Sequence, residues 1–413
     1  MRRGAAVAFG LAALASLSAC GGGGGGGGGS TTGPSSTVAP APTTIAGSAP
    51  IFNQAALHEA RLDLDPSAWE ALRRNYLTNQ YYAANLAIDG VAVSQVGIRS
   101  RGSGSRDATK PGLEIDFNRY VPTQEYYGYK RLVLDNMTQD PSFLRERMSF
   151  TVFEAMGIAA PRNAFARLYV NGEYWGLYDL VEKVSKPFLE SRLGEKSGVL
   201  FNYQWTDDWD FSPRGGEVGA YVPVPFEPET DEDKAGNAEP LLRFVRAIND
   251  TPDAGYAASM DAWLDVNRFL THLAVENAIA ERDGLIGDQG LNNFYLYQYG
   301  GKDRFVFVPW DKDSTFVSGS WPLFRNLETN VLSRRLTADA AKRAYYADAV
   351  RRAVSTYVNE RWLAPQLDSA WAQIKDAALA DPNKPFTAAE VQAAVAGLRG
   401  VIVARESDVN AQR

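Results

Sequence analysis

Cysteine and histidine are almost missing from this chain of 413 residues, which holds one cysteine, Cys20, and two histidines, His58 and His272. A disulfide framework is therefore excluded, and a zinc centre or a Cys/His or Ser/His/Asp relay is disfavoured. Basic runs are missing too. The formal net charge is −7, a composition that repels nucleic acid, and no nucleic-acid partner is expected. Beyond the N-terminus there is no apolar run long enough to cross a bilayer. Carboxylates, amides and lysines remain as the groups on which chemistry could rest.

The first twenty residues have the layout of a secretory signal. Arg2 and Arg3 precede an apolar stretch at 5–17 that is too short for a stable span. The stretch ends in Leu17-Ser18-Ala19-Cys20, the lipobox pattern in which small residues suit the peptidase and the thiol accepts a diacylglycerol. Cys20 is thus the expected lipidation site and the expected link to a membrane. Several acyl chains, at about 0.8 kcal/mol per buried methylene, anchor durably where one would not. Residues 21–29 are all glycine, and 30–49 continue in small and polar residues without charge, the composition of a flexible tether. The expected location is the cell envelope, on the outer membrane where a host has one, because Gly21 follows the cysteine. Otherwise it is the outer face of the plasma membrane.

From residue 50 the patterning predicts an α+β chain, β-rich first and α-rich later. Two hairpins are predicted around Asp89-Gly90 and Asn171-Gly172. Between them 142–156 has helical spacing, with Ser142 as N-cap and Gly157 as the stop. The Pro-rich, acidic segment at about 205–235 reads as a surface insertion. Helices are predicted over 239–248 and 262–280, strand alternation over 293–308, and helices again over 340–413 with a break at Asp381-Pro382-Asn383. The domain is expected to run over 50–330, with 331–413 as its C-terminal helical part.

The chemistry-bearing stretch is 281–313. Asp283 and Asp288 lie in a Gly-rich loop after a helix, Asn293 opens a hairpin, and Asp311 and Asp313 follow its second strand. A hairpin brings its two ends together, so Asn293 and Asp311 should stand side by side facing the loop acids. A carboxylate and an amide oxygen there suit Mg²⁺, and a further acid could accept a hydroxyl proton, as in protein kinases. Acids and asparagines that merely cap turns are the alternative.

Four ordered motifs accompany that stretch. They are residues 97–105 followed by Lys110-Pro111; Asp140 to Arg145 opening a helix that closes at Met156-Gly157; 168–178 followed by Glu182; and 293–297 leading to Pro309-Trp310-Asp311. In this combination the chain resembles the CotH family, the spore-coat-H-like atypical protein kinases, over roughly residues 95–316. The resemblance implies a reduced two-lobed protein-kinase-like fold that binds ATP with Mg²⁺ (or Mn²⁺) and phosphorylates protein serines. It implies Lys110 as the phosphate-holding lysine beneath the turn carrying Arg101 and Ser103, with Glu146 or Glu154 as its helix partner. Glu182 corresponds to a hinge residue at the adenine. Asp283 matches the catalytic base, Asp288 competes for that role, Asn293 and Asp311 are the metal ligands, and Asp313 supports them. Arg282 and the incomplete Gly-rich turn depart from the pattern.

ATP is not expected outside the plasma membrane, which opens two other readings of the same residues. One is a non-catalytic surface-binding protein using aromatics such as Trp205, Trp209, Trp321 and the Tyr81-Tyr82 pair. The other is a carboxylate-pair hydrolase of envelope polysaccharide using Asp283 or Asp288 with Asp311.

Overall fold

The computed structural model describes residues 50–206, 209–230 and 238–412. Cys20, the glycine tether and residues 231–233 of the acidic run lie outside them. The first half contains β1 (His58–Asp63), α1 (Pro66–Arg74), β2 (Tyr82–Ile88), β3 (Val91–Ser100), β4 (Leu113–Asp116), β5 (Arg131–Asp135), α2 (Arg145–Ala155), β6 (Asn163–Val170) and β7 (Glu173–Val181). Both predicted hairpins form. Asp89 and Gly90 (φ 50° and 82°) join β2 to β3, and Asn171 and Gly172 (φ 51° and 87°) join β6 to β7, the left-handed pairs a two-residue turn demands.

The seven strands close into a barrel in the order β1-β2-β3-β4-β5-β7-β6, sealed by parallel pairing of β1 with β6. Closure leaves no free edge. Alternate residues of β6 then serve two cores: Ala166, Leu168 and Val170 fill the barrel, while Phe165 packs outside it with Phe150 and Phe153 of α2. That second, larger core also receives most of the apolar side chains of the later half.

The later half adds α3 (Lys186–Leu193), β8 (Val199–Tyr203), β9 (Phe226–Pro228), α4 (Glu239–Asp250), α5 (Tyr256–Met260), α6 (Val266–Ala278), β10 (Phe294–Gln298), β11 (Phe305–Pro309), α7 (Val331–Thr337), α8 (Ala340–Thr356), α9 (Leu363–Ala380) and α10 (Ala388–Ala411). A four-stranded sheet runs β11-β10-β8-β9.

Three local expectations are corrected. Helix α2 starts at Arg145 with Leu144, not Ser142, at the N-cap position, and its first amides are held mainly by Asp140, whose carboxylate accepts from Leu144 N (2.9 Å) and Arg145 N (2.8 Å), with Ser142 Oγ farther from Leu144 N at 3.3 Å. Helix α6 begins at Val266, where Asp265 caps it by accepting from Arg268 N, four residues later than the periodicity placed it. The 205–235 segment is no surface excursion over its described part. Trp209, Phe211, Tyr221 and Phe226 are buried in the main core, and β9 pairs with β8.

Candidate functional site

The β10–β11 hairpin does bring its ends together: Trp310 N donates to Asn293 O at 3.1 Å, which sets Asp311 beside Asn293. Both residues adopt left-handed backbone (φ 55° and 53°). Such conformations cost energy outside glycine and gather where side chains must be aimed. Asp283 meets them from the loop after α6. Its carboxylate accepts from Asn292 Nδ2 at 3.0 Å and Asn293 Nδ2 at 3.1 Å, and its carbonyl accepts a second bond from Asn293 at 2.9 Å. The Asn293 amide nitrogen is thus committed, which orients its oxygen. Asp283, Asn293 and Asp311 are therefore neighbours.

The loop carrying Asp283 is pinned from beneath. Glu276, buried on α6, accepts from Leu285 N (3.0 Å) and Ile286 N (3.2 Å), and Lys312 Nζ approaches it at 3.3 Å. Burial favours the acid form of Glu276, but Lys312, the nearby imidazole of His272 and the loop amides outweigh it and hold the carboxyl at about 2. Gly284 is required here, since a Cβ would lie 2.4 Å from Glu276 Oε1. Glu281 also supports the loop, accepting from Asp283 N at 2.8 Å. Burial, with Glu276 adding repulsion against the pull of Lys312, raises its carboxyl to about 8.

Acids from distant strands complete the centre. Burial, then repulsion from Asp135 and Asp283, lifts Asp311 to about 6 against the pull of Arg101 and Lys312. Glu146 is pushed well up by burial and then by Asp179, Asp135 and Asp311, Asp313 by burial and then by Asp311 and Asp135, and burial raises Asp179 to about 7. Among the described residues the Asp311 side chain has neither a hydrogen bond nor an ion pair. Arg101 supplies the counter-charge, at 3.0 Å from Asp135 and over the Trp310 ring at 5.6 Å. No group of three or more His, Cys, Asp or Glu side chains among the described residues is arranged to chelate a metal by itself.

A cavity of about 610 Å³ has walls that include Lys130, Arg131, Lys183, Lys186 and Glu229, and none of the acids of the centre lines it. Lys183 in its wall pairs with Glu229 at 2.9 Å and approaches Glu114 at 3.5 Å. The buried Tyr295 hydroxyl interacts with Lys183, Glu229 and Arg101 together.

Other expected residues stand elsewhere. Lys110 is fully buried and paired with Asp381 at 2.7 Å, between the rings of Phe143 and Tyr178 at 5.2 and 5.1 Å. Neither Glu146 nor Glu154 is its partner, because the break between α9 and α10 inserts Asp381 there first. Glu154 pairs with Arg192 instead. Burial, only partly offset by Asp381, lowers the Lys110 ammonium, and this lysine ties the C-terminal helices to the barrel instead of holding a ligand. Glu182 is fully buried under Arg162 and Tyr129, accepting from Arg162 Nε at 2.9 Å and from the tyrosine hydroxyl at 2.7 Å, so it makes no hinge contact. Asp288 is spent on Arg325 (2.8 Å) and Asn326 (2.8 Å). Ser103 is exposed on the loop between β3 and β4. The sequence reading missed Asp135, Asp179, Lys183, Glu276 and Lys312. What sets them apart is burial of a charged side chain, and burial is not visible in sequence.

A family model described as CotH kinase protein matches residues 98–408, well over half of the chain. The chain belongs to the CotH kinase protein family. Inner spore coat protein H of Bacillus subtilis is 25% identical over 298 residues, covering 70% of this chain and 79% of that protein. Invasin CotH2 of Rhizopus delemar is 24% identical over 191 residues, which is 44% of this chain and 31% of that protein. Among solved structures, the Helicobacter pylori proinflammatory kinase CtkA covers 72% of this chain and is itself covered over 94%, at 8% identity and a TM-score of 0.27. The CotH match begins within β3 and runs to the last helix. It therefore includes Arg101, Asp283, Asn293 and Asp311, and also the Lys110–Asp381 tie.

Proposed function

We propose that the chain is an atypical, cation-dependent protein kinase, with the barrel as its first lobe and the helical half as its second. The observation that carries this reading is Asp311. It is a half-buried carboxylate without a hydrogen-bond or ion-pair partner among the described residues, set in left-handed backbone between Asp135, Asp283 and the Asn293 amide. Such a group is stabilised by a divalent cation more than by any side chain near it. Mg²⁺ is commonly bound through one or two protein oxygens with water and phosphate completing its shell. That coordination fits Asp311 and the Asn293 oxygen, and it needs no three-carboxylate cage.

Bound there with ATP, the cation would neutralise charge on the transferred phosphoryl group. Asp283, steadied by Asn292 and Asn293, is placed to accept the proton of a serine hydroxyl. Arg101 and Lys183 carry positive charge from the acid centre to the larger cavity, which has room for a nucleotide. Lys183 takes the part that Lys110 cannot. Asp288 is tied to Arg325, which leaves Asp283 as the base and also weakens a hydrolase built on Asp288 with Asp311. The substrate is proposed to be a protein of the envelope or cell surface, reached from a lipid anchor at Cys20.

One observation favours a surface-binding protein that keeps the fold. Lys110 has no helix glutamate, so the usual lysine–glutamate pair of a kinase is missing from its expected place. The aromatics put forward for such a surface do not support it, since Tyr82, Trp209 and Trp321 are buried and only Trp205 is exposed. Calorimetric titration of the chain with ATP, with and without Mg²⁺ or Mn²⁺, separates the two readings. A kinase gives heat that depends on the metal. No heat at millimolar ATP with either metal rules the kinase out.

A further inference from the structure

A second cavity, of about 120 Å³, opens at the first turns of α6. It is lined by Arg268, Phe269 and His272 of that helix, by Tyr299 and Arg304 of the β10–β11 turn, and by Phe307. His272 is 1% exposed, and its Nδ1 has no hydrogen-bond partner. Its Nε2 stands 3.5 Å from Glu276 Oε1, and the edge of the ring packs on Phe153 at 5.0 Å. Arg268 Nε is likewise buried without a hydrogen-bond partner. Unpaired buried polar atoms are rare, and two of them at one cavity mark a place shaped for a polar ligand.

The charges select its sign. Arg268 and Arg304 are cationic, and burial lowers the His272 imidazole so that it stays neutral. The one acid in the wall, Asp265, is occupied in capping α6. Phe269, Tyr299 and Phe307 make the rest of the lining apolar, which disfavours a fully hydrated ion. We infer that this cavity binds a small organic carboxylate no larger than a single ring, held by Arg268 with His272 as a neutral hydrogen-bonding neighbour.

The cavity reaches the loop that carries Asp283 only through side chains of α6. His272 faces Glu276, and Glu276 accepts from Leu285 N and Ile286 N, so a ligand on His272 restrains that loop through two side chains. The binding step stands whether or not the chain uses ATP.

Benzoate is the probe, titrated calorimetrically into the full chain. The wild type should bind it at one saturable site, and Arg268→Met should weaken binding at least about tenfold, the ordinary effect of losing a charged hydrogen bond. His272→Phe keeps a ring in the cavity and removes its hydrogen-bonding nitrogens, so it should also weaken binding at least about tenfold; its melting curve shifts with the loss of the Glu276 contact but stays cooperative, which covers the case where Arg268→Met fails to fold. Benzylamine, with the same ring and opposite charge, should not bind. In hydrogen exchange, the peptide containing Leu285 and Ile286 should be protected several-fold by benzoate. The site is overturned by no saturable heat with the wild type, by equal affinity in both variants, or by equal binding of benzylamine. Unchanged exchange at 285–286 overturns its link to the loop.

Discussion

Replacing Asp311 by asparagine removes one acid from a centre that crowds several, and the sign of the effect can be worked out. The carboxyl is raised from its ordinary 3.8 to about 6 by burial and by Asp135 and Asp283. The folded state therefore holds this proton more tightly than the unfolded chain does. The stability it contributes is complete below about pH 4 and is lost as pH rises through about 6. At about 1.4 kcal/mol per pH unit, ionisation in place costs the fold at most about 3 kcal/mol, and solvent at this half-buried position reduces that toward 1. Asparagine cannot ionise, so without metal Asp311→Asn should be more stable than wild type by about 1–3 kcal/mol at pH 8. For a folded part of about 360 residues this is a rise of roughly 1–4 °C in melting temperature. Asparagine also tolerates the 53° φ well. That contribution does not depend on pH, so the diagnostic is the difference between the two proteins at pH 8 and its shrinkage toward pH 4. Scanning calorimetry in EDTA measures both. Addition of Mg²⁺ with ATP should then raise the wild-type midpoint and leave the variant unmoved. A variant less stable than wild type at pH 8, or a gap that does not change with pH, refutes the reading of Asp311 as a repelled, cation-seeking acid.

Asp283→Asn should leave nucleotide affinity within a few-fold and lower kcat about a hundredfold or more, because a base acts on the proton in transfer; equal losses in binding and rate would argue for a ligand role instead. Asp381→Ala leaves the buried Lys110 ammonium unpaired and should cost about 3–5 kcal/mol in denaturant unfolding, whereas an exposed, nucleotide-facing Lys110 would make the change nearly silent. Trp209→Ala should cost about 3–5 kcal/mol if 209–230 belongs to the core, and close to nothing if the segment is a surface insertion. Cys20→Ala should move the protein out of the membrane fraction, and unchanged fractionation would remove Cys20 as the anchor.

What the sequence determined by itself was local. Asp89-Gly90 and Asn171-Gly172 announced their hairpins because left-handed backbone is cheap only for such residues, and Gly157 stopped α2 for the same reason. The meeting of Asn293 with Asp311 was legible because a hairpin's ends must meet, and Asp283 lies only ten residues from Asn293. Tertiary structure decided everything that depends on which distant group arrives first. Lys110 met Asp381 from a turn 271 residues away, Glu182 met Arg162 across neighbouring strands, and Asp288 met Arg325, so three candidates were spent on buried or local partners. The barrel's closure by parallel pairing of β1 with β6 brings together strands whose own patterns do not name their neighbours. It is the same closure and packing that set Asp135 and Glu146 near Asp311, and a carboxylate's pKa responds to burial and to neighbouring charge, neither of which a sequence position carries.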